Sequence, residues 1–585
     1  MKNIVLFVID SMNYSHMKKH PELTPFINEL KEKHVSFENM YSQAPYTEAA
    51  VMNIYCGQNV LDNGGYIRRF ADADTTVFEV MKEKGYETYY NAFQPQCYAS
   101  SLRRGVDHIY NNVGYDLGAL WSYRLNLFSE LYFKNMLNDD DYALLFDILN
   151  DNFVEWLRFT EEYNQKADSV SMIYGNASNY DAKEIGFKVE AEYEAFLCDK
   201  KAYVNALLTQ KTSHPLFLIS AFFQNKKIKN SDAVKLVQCE MHPLFLEIKK
   251  MNRSLNLKNC KGVFKGPLRK LCEFVRRPNI NTLKNFAKSI ILVRNVFTDV
   301  DLFERIADNY DSFKNAPSAK THIDHYINWE NSRDKSKPSF SCIHVDDIHN
   351  PEMFFTYDSE DINLIKREIS DARDVIEKLP STYYGNITHD LSLRYMDSKI
   401  RYFYEQLEKN GLLDDTIVVL CADHGFSFAG NPLRDSFVIN MYLENYNIPC
   451  IITGTDYNKN ITTLCASKDI PVIISSLADG KNPFKDEYGC ENVFIEYCGG
   501  GCPELSKREL KIACFNKEYF VATQAKADAT ITLADITEVY DLSKDPDQLN
   551  NLCKNKYDVQ KVEKLFDEII ARRTEIYHQL QKKQA

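Results

Sequence analysis

A mainly parallel β-sheet flanked by helices, an α/β fold, is what the sequence predicts, and three stretches predict it. Residues 3–10 hold six consecutive apolar residues, several β-branched, before a carboxylate, Asp10. Such a run reads as a strand buried on both faces. Residues 416–425 have the same grammar and end in Asp423-His424-Gly425. Residues 1–112 alternate strand-like and helix-like segments, the βα order that yields parallel strands.

Taken in order, the opening strand is followed by a helix near residues 24–33. Pro45 forces an extended or turn approach to the next helix, read over residues 48–55 with Thr47 at its cap or in its first turn. A helix near 75–84 and a strand from Gly85 to Tyr90 continue the pattern. Residues 115–335 interrupt it. Apolar positions 142, 145, 146, 149, 153, 156 and 157 have helical spacing, while 214–223 suits either a strand or a buried helix. A mostly α insertion, used as a lid over the strand ends, is expected there. Lys337–His344 is a third strand-like run ending in a polar residue, and 437–453 continues the α/β pattern. Short alternating runs at 509–514 and 519–523 suggest a small antiparallel sheet, and a last helix is expected near 559–579. The expected units are a catalytic α/β domain at 1–114 and 336–480, the insertion at 115–335, and a C-terminal subdomain at 481–585.

The 585 residues are 44% hydrophobic, ample for a large core. A formal net charge of −12 argues against a nucleic-acid binder. The N-terminus lacks the features of a signal peptide, and no apolar run is long enough for a transmembrane helix. The 15 scattered cysteines suit reduced thiols, so a cytoplasmic location is expected. Cys498 and Cys502 flank three glycines and read as a glycine-rich turn with incidental thiols. Residues 248–294 carry eight lysines and five arginines against one acid, Glu273. This segment suits docking to an anionic membrane face or polyanionic glycan, or a solvated helical face balanced by acids elsewhere. Oligomeric state leaves no mark on the sequence.

The chemistry lies at the strand ends, where open α/β sheets bind ligands. Alone, Thr47 reads as a helix cap. With Asp10, Asp423 and His424 it completes a set of two carboxylates, an imidazole and a hydroxyl, suited to one divalent metal. Mixed O/N ligation favours Mn²⁺ or Zn²⁺, and Mg²⁺ or Ca²⁺ are compatible.

The opening strand ending in Asp, Thr-Pro-Phe-Ile-Asn-Glu-Leu at 24–30, Val-Ser-Phe-Glu-Asn-Met-Tyr-Ser at 35–42, Asp423-His424-Gly425, and the run from Val539 to Asp547 followed by Asn551-Leu552 occur in that order. Together they resemble the sulfatase branch of the alkaline phosphatase superfamily, over roughly residues 1–112 and 336–555. His344-Val-Asp-Asp347-Ile-His349-Asn-Pro351 is similar to the substrate-side loop of the threonine-nucleophile phosphoglycerol and phosphoethanolamine transferases of that superfamily. The resemblance implies catalytic roles for Thr47, His344 and His349 and substrate contacts for Asp347 and Arg434. Two departures bear on the substrate. Known sulfatases carry Cys or Ser in a Cys/Ser-x-Pro-Ser-Arg context, and here the chain reads Thr47-Glu-Ala-Ala-Val51. The sulfate-gripping Gly-Lys-Trp-His type of segment is replaced by Asn91-Ala-Phe-Gln-Pro95.

The expected function is a metal-dependent phosphoryl-group hydrolase or transferase working through a covalent phosphothreonine, on a phosphorylated small molecule or glycan. A sulfatase without formylglycine is the first alternative. A non-catalytic glycan- or membrane-binding relative is the second. Peripheral contact with an anionic inner membrane face is the expected use of the basic segment.

Overall fold

In the computed structural model the structure describes residues 1–63, 73–92, 104–111, 182–209, 265–276, 278–280, 282–287, 318–349, 387–425, 441–485, 488–497, 509–554 and 559–584, with scattered positions between 132 and 157. The strands are β1 (Asn3–Ile9), β2 (Val35–Phe37), β3 (Met40–Tyr41), β4 (Glu87–Ala92), β5 (His108–Asn111), β6 (Ser339–Val345), β7 (Thr416–Ala422), β8 (Asn447–Ile448), β9 (Cys450–Thr453), β10 (Asn460–Ile461), β11 (Cys465–Ala466), β12 (Val493–Tyr497), β13 (Glu509–Phe515), β14 (Tyr519–Lys526) and β15 (Ile536–Asp541). The helices used below are α1 (Tyr14–Lys19), α2 (Pro25–Lys33), α3 (Thr47–Cys56), α4 (Val77–Glu83), α5 (Ala182–Cys198), α6 (Lys200–Thr209), α7 (Lys265–Arg276), α8 (Ala319–Ser332), α9 (Ile387–Lys409), α10 (Ile470–Ala478) and α11 (Val559–Gln584).

The main sheet has eight strands in the order β10-β2-β9-β7-β1-β6-β4-β5. Its centre is parallel: β1 pairs with β6 and β7, and β4 pairs with β6 and β5. β9 runs antiparallel to both β7 and β2. β1 and β7 are apolar runs of the sequence, and β6 also carries Ser339, Ser341 and His344; Ile4 to Ile9 are fully buried, and all seven residues of β6 and of β7 are buried. Helices cover both faces of such a sheet, so β-branched residues with no polar alternation are what it needs. In register, Val8 lies beside His344 on one side and Cys421 on the other. The carboxyl ends of β1, β6 and β7 therefore meet at one rim.

Local signals fix the helices around that rim. Pro25 opens α2, and Asp397 of α9 accepts from its first amides, Phe26 N at 3.1 Å and Ile27 N at 2.9 Å. Thr76 and Glu79 form a reciprocal capping box on α4. α3 stops at Gly57, whose φ of 68° is the left-handed turn glycine tolerates, and Gly57 N donates to Asn53 O at 2.9 Å.

β12–β15 form the expected antiparallel sheet, and α11 packs on it. Buried Arg572 of α11 pairs with Glu496 of β12 at 2.5 Å and with Asp62 at 2.6 Å. Helices α5, α6 and α7 lie in the interrupting region. α8, which the sequence assigns to the same insertion, packs into the main core instead through fully buried Ala319, Ile323 and Tyr326. Periodicity identifies a helix but not what it packs on. Among the described residues no helix is long and apolar enough to cross a membrane. Residues 93–95, 214–223, 434, 498 and 502 lie outside the described residues.

Candidate active site

Thr47 is the first residue of α3, and Tyr46, which occupies the cap position, makes no side-chain capping bond. The Thr47 hydroxyl is therefore not spent on a helix amide. It donates to Asp10 Oδ2 at 2.8 Å and lies 3.3 Å from His424 Nε2. It stands at a helix N-terminus, where amide dipoles favour an anion.

Asp10 directly follows β1, and its own N–H donates to Val345 O at 2.8 Å, extending the β1–β6 ladder. Ser11 then turns the chain with φ 63°, a conformation non-glycine residues seldom adopt. That turn lets Ser11 Oγ donate to Asp10 Oδ1 at 2.7 Å and Ser11 N donate to Asp423 Oδ1 at 3.1 Å. Ser11 is thus a site-building residue that the sequence reading missed; its only signal is a polar residue after a strand-end Asp.

Asp423 and His424 follow β7 and are buried. Asp423 Oδ1 also accepts from His424 N at 2.7 Å. His424 Nδ1 is 2.6 Å from Gly425 O; a carbonyl only accepts, so Nδ1 carries the proton and Nε2 faces the site. His424 Nε2 lies 3.6 Å from Asp10 Oδ1 and 3.7 Å from Asp423 Oδ2. Gly425 lets the chain leaving His424 pass close to residues 444–445, because a Cβ there would sit 2.5 Å from Glu444 O.

His344 lies within β6, fully buried. Its Nδ1 is 3.1 Å from the hydroxyl of Tyr55, a second unanticipated neighbour, which comes from α3. Its Nε2 points toward Asp423 Oδ2 at 3.8 Å. His349 is exposed, and its field reaches Asp10. Asp347, expected beside the substrate, is fully buried, and its Oδ1 accepts from Ala319 N at 2.9 Å at the start of α8. That oxygen serves a helix N-terminus, work that a strand-end motif cannot reveal. Arg434 lies outside the described residues.

The electrostatics follow from burying two carboxylates together. Burial raises the Asp10 pKa, but His349, His424, His344 and the Ser11 hydroxyl overcome it and hold Asp10 down to about 2. Asp423 goes the other way, raised by burial and by the Asp10 charge. For His424 burial is outweighed by Asp423 and Asp10, which raise it. For His344 burial dominates and lowers it.

The residues fit a divalent cation. Asp423 Oδ2 and His344 Nε2 are buried without a hydrogen-bond partner among the described residues, a cost a cation would relieve. One ligand atom from each of Asp10, His344 and Asp423 lies within 4.8 Å of the others. Asp10, Asp423, His344 and His424 would hold the ion, with Thr47 Oγ1 beside it.

The family model described as Sulfatase matches residues 2–175 and 277–479, well over half of the chain. A choline-sulfatase of Rhizobium meliloti (strain 1021) is 22% identical over 237 residues, which cover 37% of this chain and 40% of that protein. The match thus spans under half of that relative's length. Two solved structures are among those similar to the chain. The phosphonate monoester hydrolase of Agrobacterium radiobacter is 10% identical with a TM-score of 0.48, over 99% of this chain and 96% of that one. The phosphonate monoester hydrolase from Silicibacter pomeroyi is 12% identical with a TM-score of 0.45, over 98% and 96%. With its strand-end aspartates, its buried imidazoles and a family match running through both halves of the sheet, the chain belongs to the sulfatase family of the alkaline phosphatase superfamily.

Proposed function

We propose that this sulfatase-family ester hydrolase acts on phosphate esters of the phosphodiester or phosphoglycerol type, with Thr47 as a nucleophile that is transiently phosphorylated. The observation that carries the reading is the Thr47 hydroxyl, held on Asp10 and His424 at the start of α3, about where sulfatases carry their modified Cys or Ser. Threonine closes the formylglycine route chemically: its hydroxyl is secondary, so oxidation gives a ketone and not an aldehyde.

A divalent ion bound by Asp10, Asp423, His344 and His424 would favour the threonine alkoxide and neutralise charge on the transferred group. Asp10 Oδ2 accepts the hydrogen bond of the Thr47 hydroxyl and orients Oγ1, and the hydroxyl proton passes to solvent water. The Oγ1–P bond forms as the ester P–O bond breaks, and its electron pair leaves on the alcohol oxygen. His349, exposed at the rim, supplies the leaving group's proton. The amides opening α3 face the charge on the phosphoryl oxygens. Water, or an acceptor hydroxyl in a transferase, then attacks phosphorus and Thr47 Oγ1 departs, recovering its proton.

Sulfate esters are the second reading, favoured by the family match and by the choline-sulfatase relative. Hydrolysis of phosphodiester, phosphomonoester and sulfate-ester model substrates by the purified chain separates the two. Phosphodiester turnover supports the proposal, and turnover confined to sulfate esters rejects it.

The basic segment suits an anionic membrane surface. α7 exposes Leu268, Leu271 and Val275 at helical spacing, with Lys270 and Arg276 among them, the pattern of a helix lying in a membrane interface. Peripheral attachment at an inner membrane face is the location we infer from it.

A further inference from the structure

A second group of metal-binding side chains is buried where α1 meets the first turn of α9. His16 Nε2 and Asp390 Oδ1 are 2.9 Å apart. One ligand atom from each of His16, His389 and Asp390 lies within 4.8 Å of the others. All three residues are buried, His389 and Asp390 almost completely. The His20 ring lies alongside, its centroid 4.9 Å from that of His16, and the His389 ring meets His16 edge-on at 5.9 Å. This group shares no residue with the Asp10–Thr47 centre.

We propose that His16, His389 and Asp390 form a second divalent-metal site, structural in role and suited to Zn²⁺. Two imidazoles and one carboxylate are a common donor set for zinc. Ligand atoms around one tetrahedral zinc ion stand about 3.3 Å apart, given bonds of about 2.0 Å, and the three atoms here, within 4.8 Å of one another, reach that by side-chain rotation. An unmetallated His–Asp pair in this position bears the desolvation of both groups, whereas an ion takes a lone pair from each of the three ligands in place of the hydration they lose.

Placement gives the site its use. α1 begins a short turn after Asp10 and Ser11, and α9 is the long helix whose Asp397 caps α2. Joining His16 to His389 and Asp390 clamps the segment leaving the catalytic strand onto the helical layer. The sequence suggests one metal because it holds no second compact ligand motif. Here the ligands come from positions 374 residues apart, so no spacing could reveal them.

The test is zinc stoichiometry of the full chain, stripped with a chelator, reloaded with Zn²⁺ alone and measured by elemental mass spectrometry. Wild type should hold two zinc ions per chain, and Asp10→Ala/Asp423→Ala should hold one. Adding His16→Gln and Asp390→Asn to that variant should leave none and abolish the rise in Tm that Zn²⁺ gives the parent. Co²⁺ loaded into Asp10→Ala/Asp423→Ala should give the visible absorption of a tetrahedral ion, a readout needing no change at the new site. The proposal is overturned if wild type holds no more than one zinc, or if the four-fold variant keeps the ion of its parent.

Discussion

Thr47 Oγ1 donates its hydrogen bond to Asp10 Oδ2 at 2.8 Å across the junction between β1 and α3. A helix-start hydroxyl thus faces a strand-end carboxylate instead of its own helix, and the proposed chemistry rests on that orientation. Thr47→Ala should keep the fold and most metal affinity, since four other ligand side chains remain, yet lower turnover on the order of 10³-fold or more. Thr47→Ser should retain part of the activity. Steady-state kinetics of the two variants is the check, and full activity in Thr47→Ala would remove Thr47 from the mechanism.

Metal content should depend on the residues at the rim. Asp10→Ala and Asp423→Ala should each lose the catalytic-centre ion, because each removes a buried carboxylate facing the histidines. Elemental analysis of Mn²⁺-loaded protein measures this. Unchanged Mn²⁺ in both variants would place the ion elsewhere.

Stability should fall in acid partly through His322. Its ring is fully buried and bonded to Asn91 Oδ1. Burial first, then the like charges of His325 and His344, push its pKa down to about 3. The ordinary value near 6.5 applies when the chain unfolds. The unfolded chain then binds more protons between those values, so the contribution is complete above pH 6.5 and lost as pH falls toward 3, by at most about 1.4 kcal/mol per pH unit. Chelated wild type should lose more Tm between pH 7.5 and 5 than chelated His322→Gln. Equal losses would mean His322 does not set the slope.

The basic segment should bind anionic vesicles in low salt and release them in high salt, since exposed charges are screened over about 10 Å at 0.1 M. Sedimentation with anionic and neutral vesicles tests this. Replacing Leu268, Leu271 and Val275 by Ser should weaken binding even in low salt. Equal, negligible binding to both vesicle types would leave a solvated helical face.

Much of the fold was legible because buried parallel strands favour apolar runs: those of β1 and β7 are nearly uninterrupted, β6 is a buried strand that also carries Ser339, Ser341 and His344, and all three lead to polar residues at the same rim. Asp10, Asp423 and His424 are therefore brought together by topology alone, and Thr47 by the helix that follows Pro45. What could not be read depended on conformation or distant pairing. Ser11 contributes through a positive φ, Tyr55 through the face of α3 that meets β6, and Asp347 through the N-terminus of α8. β9 has the composition of its parallel neighbours but runs antiparallel to them, because strand direction follows from the connection. The His16, His389 and Asp390 group joins residues 374 positions apart in the chain.

Intact-mass analysis of enzyme mixed with a phosphodiester substrate and quenched in acid decides whether Thr47 is the nucleophile. The expected result is a phosphoryl or phosphodiester-derived adduct that peptide mapping places on Thr47 and that Thr47→Ala lacks. Turnover of the same substrate with no adduct on Thr47 at any quench time, and undiminished turnover by Thr47→Ala, would contradict it.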